Sequence, residues 1–352
     1  MQTFKNDIDI SGVKKQVETT KINNRRYLGN KYNLLPFIDE TIKAEKIEFK
    51  TFADLFAGTG AVSSLYQNKI LITNDLLYSN YINNLAWFSP EKIDKCKIEE
   101  IIYFYNNINK KKNNYMTKNF SDTFFSAEDC SKIGQIREDI ENKFVEGIIN
   151  NRERAVLITS LLYAMDRIAN TVGHYDAYIK GAEFKKHLEL KVPLVYMDNN
   201  KKNVCYNKDI NELVQEIEAD LVYLDPPYNS RQYCDAYHLL ENVAKWEKPE
   251  VFGVAKKMDR SGLKSQYCSN KAPQAFAELI ETIKAKYIVL SYNNTQNKAN
   301  DRSNAKISDS QIMEILSSKG KVSVYEQDYK AFSTGKSHNN DNKERLFICH
   351  VK

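Results

Sequence analysis

No apolar run in the 352 residues approaches the length needed to cross a bilayer, and the opening, Met1-Gln-Thr-Phe-Lys-Asn-Asp-Ile-Asp-Ile10, lacks the basic start and apolar core of a secretory signal. A cytosolic protein is expected. The six cysteines contain no Cys-x-x-Cys pair and the five histidines are dispersed, which argues against both a zinc site and a disulfide framework. No metal is implied, and a lone histidine such as His238, beside Leu239 and Leu240, reads as a packed or surface residue. Neither sign of charge dominates. The net charge of +5 and pI near 8.6 permit a polyanionic partner without demanding one. There is no internal repeat.

What is present suits an enzyme. A hydrophobic fraction of 42% and a charged fraction of 28% are ordinary for a globular protein, and the length allows one main domain with a sizeable insertion, or two domains. The stretch that organises the chain is Leu221-Val-Tyr-Leu-Asp-Pro-Pro-Tyr-Asn229. Its apolar run is too short for a helix, and two prolines cannot continue a sheet ladder, so a buried strand must end at about Asp225. Ligands bind at the C-terminal rim of open α/β sheets, and proline fixes the backbone there. Asp225, the Pro226 carbonyl and the Tyr228 ring can therefore be presented together, a set suited to an exocyclic amino group on a flat base.

Upstream, Phe52 to Tyr66 reads as strand, glycine turn and helix, with Gly58 and Gly60 letting the backbone bend beside a ligand. Ser63 replaces the third glycine of the phosphate fingerprint and no Gly-Lys-Ser/Thr follows, so a ligand without phosphates fits better. A second strand over residues 70–75 ends in Asp75, where doubly wound folds place the carboxylate for ribose hydroxyls. A Gly-Asn turn flanked by Tyr27 and Lys31 leads into helical spacing at Leu34, Leu35, Ile38 and Ile42.

From about 90 to 195 the character changes to aromatic-rich polar sequence followed by one long periodic helix through Val145, Ile149, Val156, Leu161, Met165, Ile168 and Val172, broken at Gly173. This insertion reads equally as a packing subdomain or as a base-recognition region. A strand over 203–209, a helix through Leu213 and Ile217, the Asp225 strand, and a further strand over 287–294 follow, with Val322–Tyr325 and Arg345–Val351 as a closing antiparallel pair. Between them, Lys256, Lys257, Arg260, Lys264 and Lys271 stand against Asp259 alone, the best local footprint for phosphates.

Taken together, Arg26-Tyr-Leu-Gly-Asn-Lys31, Asp54-Leu-Phe-Ala-Gly-Thr-Gly60, Asn74-Asp75, Asn207-Lys-Asp209, Asp225 through Tyr233, and Leu290-Ser-Tyr-Asn-Asn294 resemble the Dam-like alpha group of adenine-specific DNA methyltransferases, most closely the Fok-type modification methylases. The resemblance implies an α/β, doubly wound, seven-stranded sheet that binds S-adenosylmethionine. It implies an N-terminal arm over 1–23, a catalytic domain over 24–89 and 196–352, and a largely helical target-recognition insert over 90–195. Tyr27, Lys31 and Asp54 would hold the methionine carboxylate and ammonium, Phe56, Gly58 and Gly60 would lie against the methionine portion, Asp75 would take the ribose and Asp209 the cofactor's adenine. Asp225, Pro226 and Tyr228 would act on the N6 amine of an adenine flipped out of duplex DNA, and Arg231, Tyr233 and the basic loop would hold the DNA backbone. A bacterial cytoplasmic, nucleoid-associated enzyme of a restriction-modification system is expected, with a cognate endonuclease or a second methylase for the other strand as candidate partners. An RNA base amino-group methyltransferase and a catalytically silent DNA-binding protein are the competing functions.

Overall fold

The computed structural model describes residues 17–294, 305–328 and 343–352, so residues 1–16 of the expected arm lie outside the described residues. Seven strands form one sheet: β1 (Thr51–Asp54), β2 (Ile70–Asn74), β3 (Val204–Tyr206), β4 (Ala219–Leu224), β5 (Ala285–Asn293), β6 (Gly320–Asp328) and β7 (Lys343–Val351). Their order is β3-β2-β1-β4-β5-β7-β6. The first five run parallel, and β7 lies antiparallel between β5 and β6. The closing hairpin expected from the C-terminal pattern is present. Near the N-terminus, Thr19–Thr20 pairs with Val192–Pro193 in a separate two-stranded ladder.

Eleven α-helices occur among the described residues: α1 (Leu35–Ala44), α2 (Tyr78–Phe88), α3 (Lys95–Asn106), α4 (Tyr115–Phe120), α5 (Ala127–Val145), α6 (Asn151–Ile168), α7 (Ile210–Leu213), α8 (Tyr233–Ala236), α9 (His238–Lys245), α10 (Ala272–Thr282) and α11 (Asp309–Lys319). They cover both faces of the sheet, as a parallel sheet buried on both sides requires. Ile210, Leu213, Phe276, Leu279, Ile312 and Leu316 pack on one face with Val222 and Leu224. Ile38, Ile42, Trp87 and Phe88 pack on the other with Phe52, Leu221 and Tyr223. Parallel order reverses between β1 and β4, so their carboxyl ends diverge and leave a crevice at the switch point.

Two local expectations are corrected. The single long helix through Val145 to Val172 is two helices, because Gly147 takes a left-handed φ of 71° and the side chain of Asn150 caps α6 by accepting from the Glu153 N–H. Val172 lies beyond the helix end at Ile168. After the glycine turn the chain makes a 3-10 turn over Ser63–Tyr66 rather than an α-helix, since β2 begins at Ile70 and leaves no room for one. The helical region of the insertion does not close on itself: Ile82 of α2, Ile133 and Ile136 of α5, Leu157 and Leu161 of α6, and Leu239, Leu240 and Val243 of α9 share one core. Buried Arg137 adds to this joint by donating from Nε to the Val243 carbonyl at 2.7 Å.

Candidate active site

Three strand ends converge on the crevice. Asp54 ends β1, Asp75 follows β2 and Asp225 follows β4, and all three line one cleft with Tyr27, Lys31, Phe56, Gly58 and Tyr233. The glycine turn folds tightly because Gly58 and Gly60 take φ of 53° and 81°, where a side chain would be strained. At Gly60 a Cβ would also stand 2.6 Å from Asn84 Oδ1 and 2.7 Å from Phe88 Cε2, so close packing of α2 requires glycine. Gly60 thus shapes the turn from behind and does not line the cleft.

Each acid is held by a specific partner. Asp75 accepts the Gly58 N–H at Oδ2 and the Leu77 N–H at Oδ1, both at 2.8 Å, so one carboxylate pins the glycine turn to the start of α2. Burial pushes its pKa up against those hydrogen bonds. Asp54 is buried, accepts Ser63 Oγ at Oδ2 at 2.8 Å, and leaves Oδ1 buried without a partner. Burial pushes its carboxyl up to about 7, with Ser63 opposing. Asp225 Oδ1 accepts Lys31 Nζ at 2.7 Å. Burial pushes Asp225 up to about 6, with the Lys31 ammonium opposing and Glu344 adding to the rise. Lys31 itself is buried, yet Asp225 and Glu344 outweigh that burial and hold its pKa above the usual lysine range.

The aromatic wall is continuous. Tyr27 stacks on Tyr237 with centroids 4.6 Å apart and lies 5.4 Å from Tyr233, while its hydroxyl accepts Asn80 Nδ2 at 2.8 Å. At Gly29 a Cβ would stand 2.8 Å from the Tyr233 hydroxyl, so the Gly29-Asn30 turn and α8 approach only as far as glycine allows. Phe56 meets the edge of Tyr267 at 5.1 Å.

The cleft's lining thus carries three carboxyls and one ammonium. That balance repels phosphates and favours a cationic ligand, and the unpartnered Asp54 Oδ1 is an acceptor awaiting a donor. These residues fit S-adenosylmethionine, which carries a sulfonium and an ammonium and no phosphate.

Other expected site residues stand elsewhere. Asp209 caps α7 by accepting the Asn211 N–H at 2.9 Å, and Pro226 is buried outside the cleft lining. Tyr228 turns its ring edge-on to Tyr292 at 6.3 Å instead of lining the cleft, and its carbonyl accepts the Lys306 N–H at 2.8 Å. Tyr233 lines the cleft, where Leu263 and Ser265 of the basic loop also reach it. The balance of that loop needs correction too. Asp176 approaches Lys257 at 2.7 Å and Arg231 at 3.3 Å, and Asp235 approaches Arg260 at 2.7 Å and Lys257 at 3.8 Å. Arg231 and two cations of the loop, Lys257 and Arg260, are therefore paired by Asp176 and Asp235, which lie outside it. Lys256 and Lys264 make no ion pair among the described residues, and Lys264 is exposed.

Sequence reasoning did not single out Glu344, Asn80 or Asn84. Glu344 reaches Lys31 from β7 at 3.5 Å. Asn84 donates from Nδ2 to the Gly58 carbonyl at 3.3 Å. The signal for the asparagines is their spacing of four on a helix with no charged residue, which puts both on one face. Glu344 has no comparable signal, because only strand pairing brings it beside β5.

A sheet in this order with a cation-favouring crevice at the switch point defines an S-adenosylmethionine-dependent methyltransferase fold. The chain belongs to the D12 class N6 adenine-specific DNA methyltransferase family, whose description fits residues 27–304. Modification methylase LlaI of Lactococcus lactis subsp. lactis is 34% identical over 76% of this chain and 46% of its own length. Modification methylase StsI of Streptococcus sanguinis is 36% identical over 76% of this chain and 44% of its own length, so the chain spans about half the length of these two relatives. Type II methyltransferase M.NlaIII of Neisseria lactamica is 30% identical over 90% of this chain and 95% of its own length.

Proposed function

We propose that the protein transfers a methyl group from S-adenosylmethionine to the N6 amine of an adenine flipped out of duplex DNA. The observation that carries this reading is the Asp225 carboxylate at the end of β4, opening into a cleft whose three acids and one base favour a cation. The bound cofactor supplies an electrophilic methyl group on a sulfonium, so the protein needs to position a nucleophile more than to activate one.

Asp54 and Lys31 would receive the ammonium and carboxylate of the methionine end beside Tyr27, and Phe56 and Gly58 would lie along it. Asp75 would face the ribose hydroxyls while retaining its hold on the Gly58 N–H. Asp209, whose charge acts on Tyr267, would complete the adenine end, with Tyr267 in turn against Phe56. At the other end an adenine amine is a poor nucleophile because its lone pair is conjugated into the ring. Acceptors on its two N–H bonds, the Asp225 carboxylate and the Pro226 carbonyl, favour the pyramidal nitrogen that attacks. Tyr228 would have to turn from Tyr292 to stack on the base, whereas Tyr233 already lines the cleft.

The region 90–195 would carry target recognition and residues 24–89 with 196–352 the chemistry, with 1–23 as an arm. Lys256 and Lys264 would neutralise phosphates, with Lys257, Arg260 and Arg231 shaping the rim that carries them. The setting is a bacterial restriction-modification system in the cytoplasm near the nucleoid, with a cognate endonuclease or second methylase as partner. Among the described residues no helix is long and apolar enough to cross a membrane, and no group of metal-ligating side chains is assembled.

Expression in a methylation-free host followed by modification-sensitive sequencing tests this reading. N6-methyladenine in one short duplex motif is expected. Asp225→Ala should lower the rate at least a hundredfold, on the order of 3 kcal/mol, while cofactor binding survives. Methylation confined to RNA, or full activity in that variant, overturns the reading.

A further inference from the structure

We infer that Glu344 is a positioning residue that receives the Lys31 ammonium when the target amine takes Lys31's place on Asp225. The inference rests on the reading of Asp225 as the acceptor for the target amine.

In the ligand-free cleft Lys31 occupies the oxygen that this amine needs. Nζ stands 2.7 Å from Asp225 Oδ1, 3.4 Å from the Gly29 carbonyl and 3.5 Å from Glu344 Oε1. The Lys31 side chain is only 6% exposed. A buried ammonium cannot leave its counter-ion for solvent: it must find another acceptor or give up its proton. In the cofactor-free cleft Glu344 is that second acceptor, and the methionine carboxylate of a bound cofactor would join it. A shift of about 0.7 Å would bring it to ordinary hydrogen-bond length, and Nζ would remain near Asp225.

Glu344 is built to wait there. It is buried at 4% exposure, and its Oε1 accepts Ser291 Oγ from the neighbouring strand at 2.6 Å, which anchors it against following Lys31. Its chain neighbour Arg345 does not neutralise it, because Arg345 pairs with Asp309 at 2.5 and 2.8 Å. Beyond Arg345, the side chains of β7 that turn inward are Leu346, Phe347, Ile348 and Cys349. A carboxylate at this point of an apolar strand has its charge opposite Lys31.

The titratable groups that act on Asp225 or respond to it are Lys31, Glu344, Asp54 at the end of β1, Tyr223 on β4 and Tyr233 on α8. Lys31 favours its ionised form and Glu344 opposes it. Removing the Glu344 charge therefore has two separable consequences. The ammonium stays on Asp225, so the amine binds less well; and Asp225 ionises at lower pH.

The test uses the full chain and the duplex motif found by sequencing. Without cofactor, binding is compared for duplexes carrying adenine or purine, which lacks the 6-amino group, at the target position. Glu344→Gln keeps an acceptor for Ser291 while removing the charge. It should lose at least about tenfold of the wild-type preference for adenine over purine, the scale of a hydrogen bond to a charged group. At saturating cofactor its kcat should fall by a similar factor, and the acid limb of its pH profile should move to lower pH. A structural role alone moves neither the adenine preference nor that limb. Unchanged preference and an unchanged limb in a Glu344→Gln enzyme that binds cofactor overturn the inference. Should that variant not fold, Ser291→Ala decides, since freeing Glu344 from its anchor should reduce the same preference and an unaltered preference overturns the proposal. A wild-type protein that methylates no adenine overturns the function itself, a result distinct from either.

Discussion

Lys31 and Asp225 stand 194 residues apart in the chain and 2.7 Å apart in the cleft. The contact joins the turn before α1 to the end of β4, so the position of the ammonium reports on both halves of the crevice. It also governs ionisation. Burial already pushes Asp225 up to about 6 although Lys31 opposes it, so the carboxylate is available near neutral pH largely because the ammonium is there.

Replacing Lys31 with Met should accordingly raise the Asp225 pKa further. At saturating cofactor, the acid limb of single-turnover methylation is expected near pH 6 in the wild type and at higher pH in Lys31→Met. Activity at pH 7 should fall at least about tenfold and partly return at alkaline pH, because ionisation then occurs without help. A uniform loss across the pH range would assign Lys31 to cofactor binding alone.

Asp54 makes a stability prediction with a definite sign. Its folded pKa of about 7 lies above the ordinary aspartate value of 3.8, so between these values the folded state holds a proton that the unfolded chain has released. The stability it contributes is full below the lower value and is lost as pH rises through the upper one. Asp54→Asn keeps an acceptor for Ser63 and removes the ionisation. It should be more stable than wild type at pH 8 by roughly 1–3 kcal/mol and similar at pH 4, read by urea unfolding of the ligand-free protein. Cofactor affinity should drop in the same variant. Parallel stability curves would show that the buried acid is compensated elsewhere.

The strand ends that carry Asp54, Asp75 and Asp225 are legible in the sequence because each follows a short apolar run and a turn signal, which fixes the rim on which it stands. The closing β6–β7 pair is legible for the same reason. Glu344 is not, because its role depends on pairing with β5, and no local pattern encodes which strand lies alongside. The ion pairs of Asp176 are equally hidden: a run of lysines looks unopposed until a loop 81 residues upstream delivers its acid to Lys257. Helix length is hidden as well, because one glycine and one cap divide a continuous apolar period.

Those hidden pairs change what the basic loop should do. Lys256 and Lys264 make no ion pair among the described residues, whereas Lys257 lies 2.7 Å from Asp176 and 3.8 Å from Asp235. If phosphates recruit the first two, replacing both with Ala should reduce the slope of log affinity against log salt by about 1.8, the release of two counterions. Lys257→Ala should change that slope by less than one and instead loosen the rim, seen as lower thermal stability. An equal slope change for every lysine would mean that DNA breaks the Asp176 pairs on binding.

Asp75 distinguishes a ligand contact from a scaffold. Were it only the acceptor for ribose hydroxyls, Asp75→Ala would weaken binding of the adenosine half of the cofactor and spare the methionine half. Both of its oxygens, however, already accept backbone N–H groups, Gly58 at Oδ2 and Leu77 at Oδ1, each at 2.8 Å. Removing the carboxylate leaves the Gly58 N–H without its acceptor and frees the turn that lies against the methionine portion, a loss of about 1–3 kcal/mol for a hydrogen bond to a charged group. Calorimetry with S-adenosylmethionine, with adenosine and with methionine should therefore show Asp75→Ala weakening the whole cofactor more than the adenosine fragment alone. Asp75→Asn, which can still accept one N–H, should fall between wild type and Ala. Equal losses for cofactor and adenosine would confine Asp75 to the ribose and remove its role in holding the glycine turn.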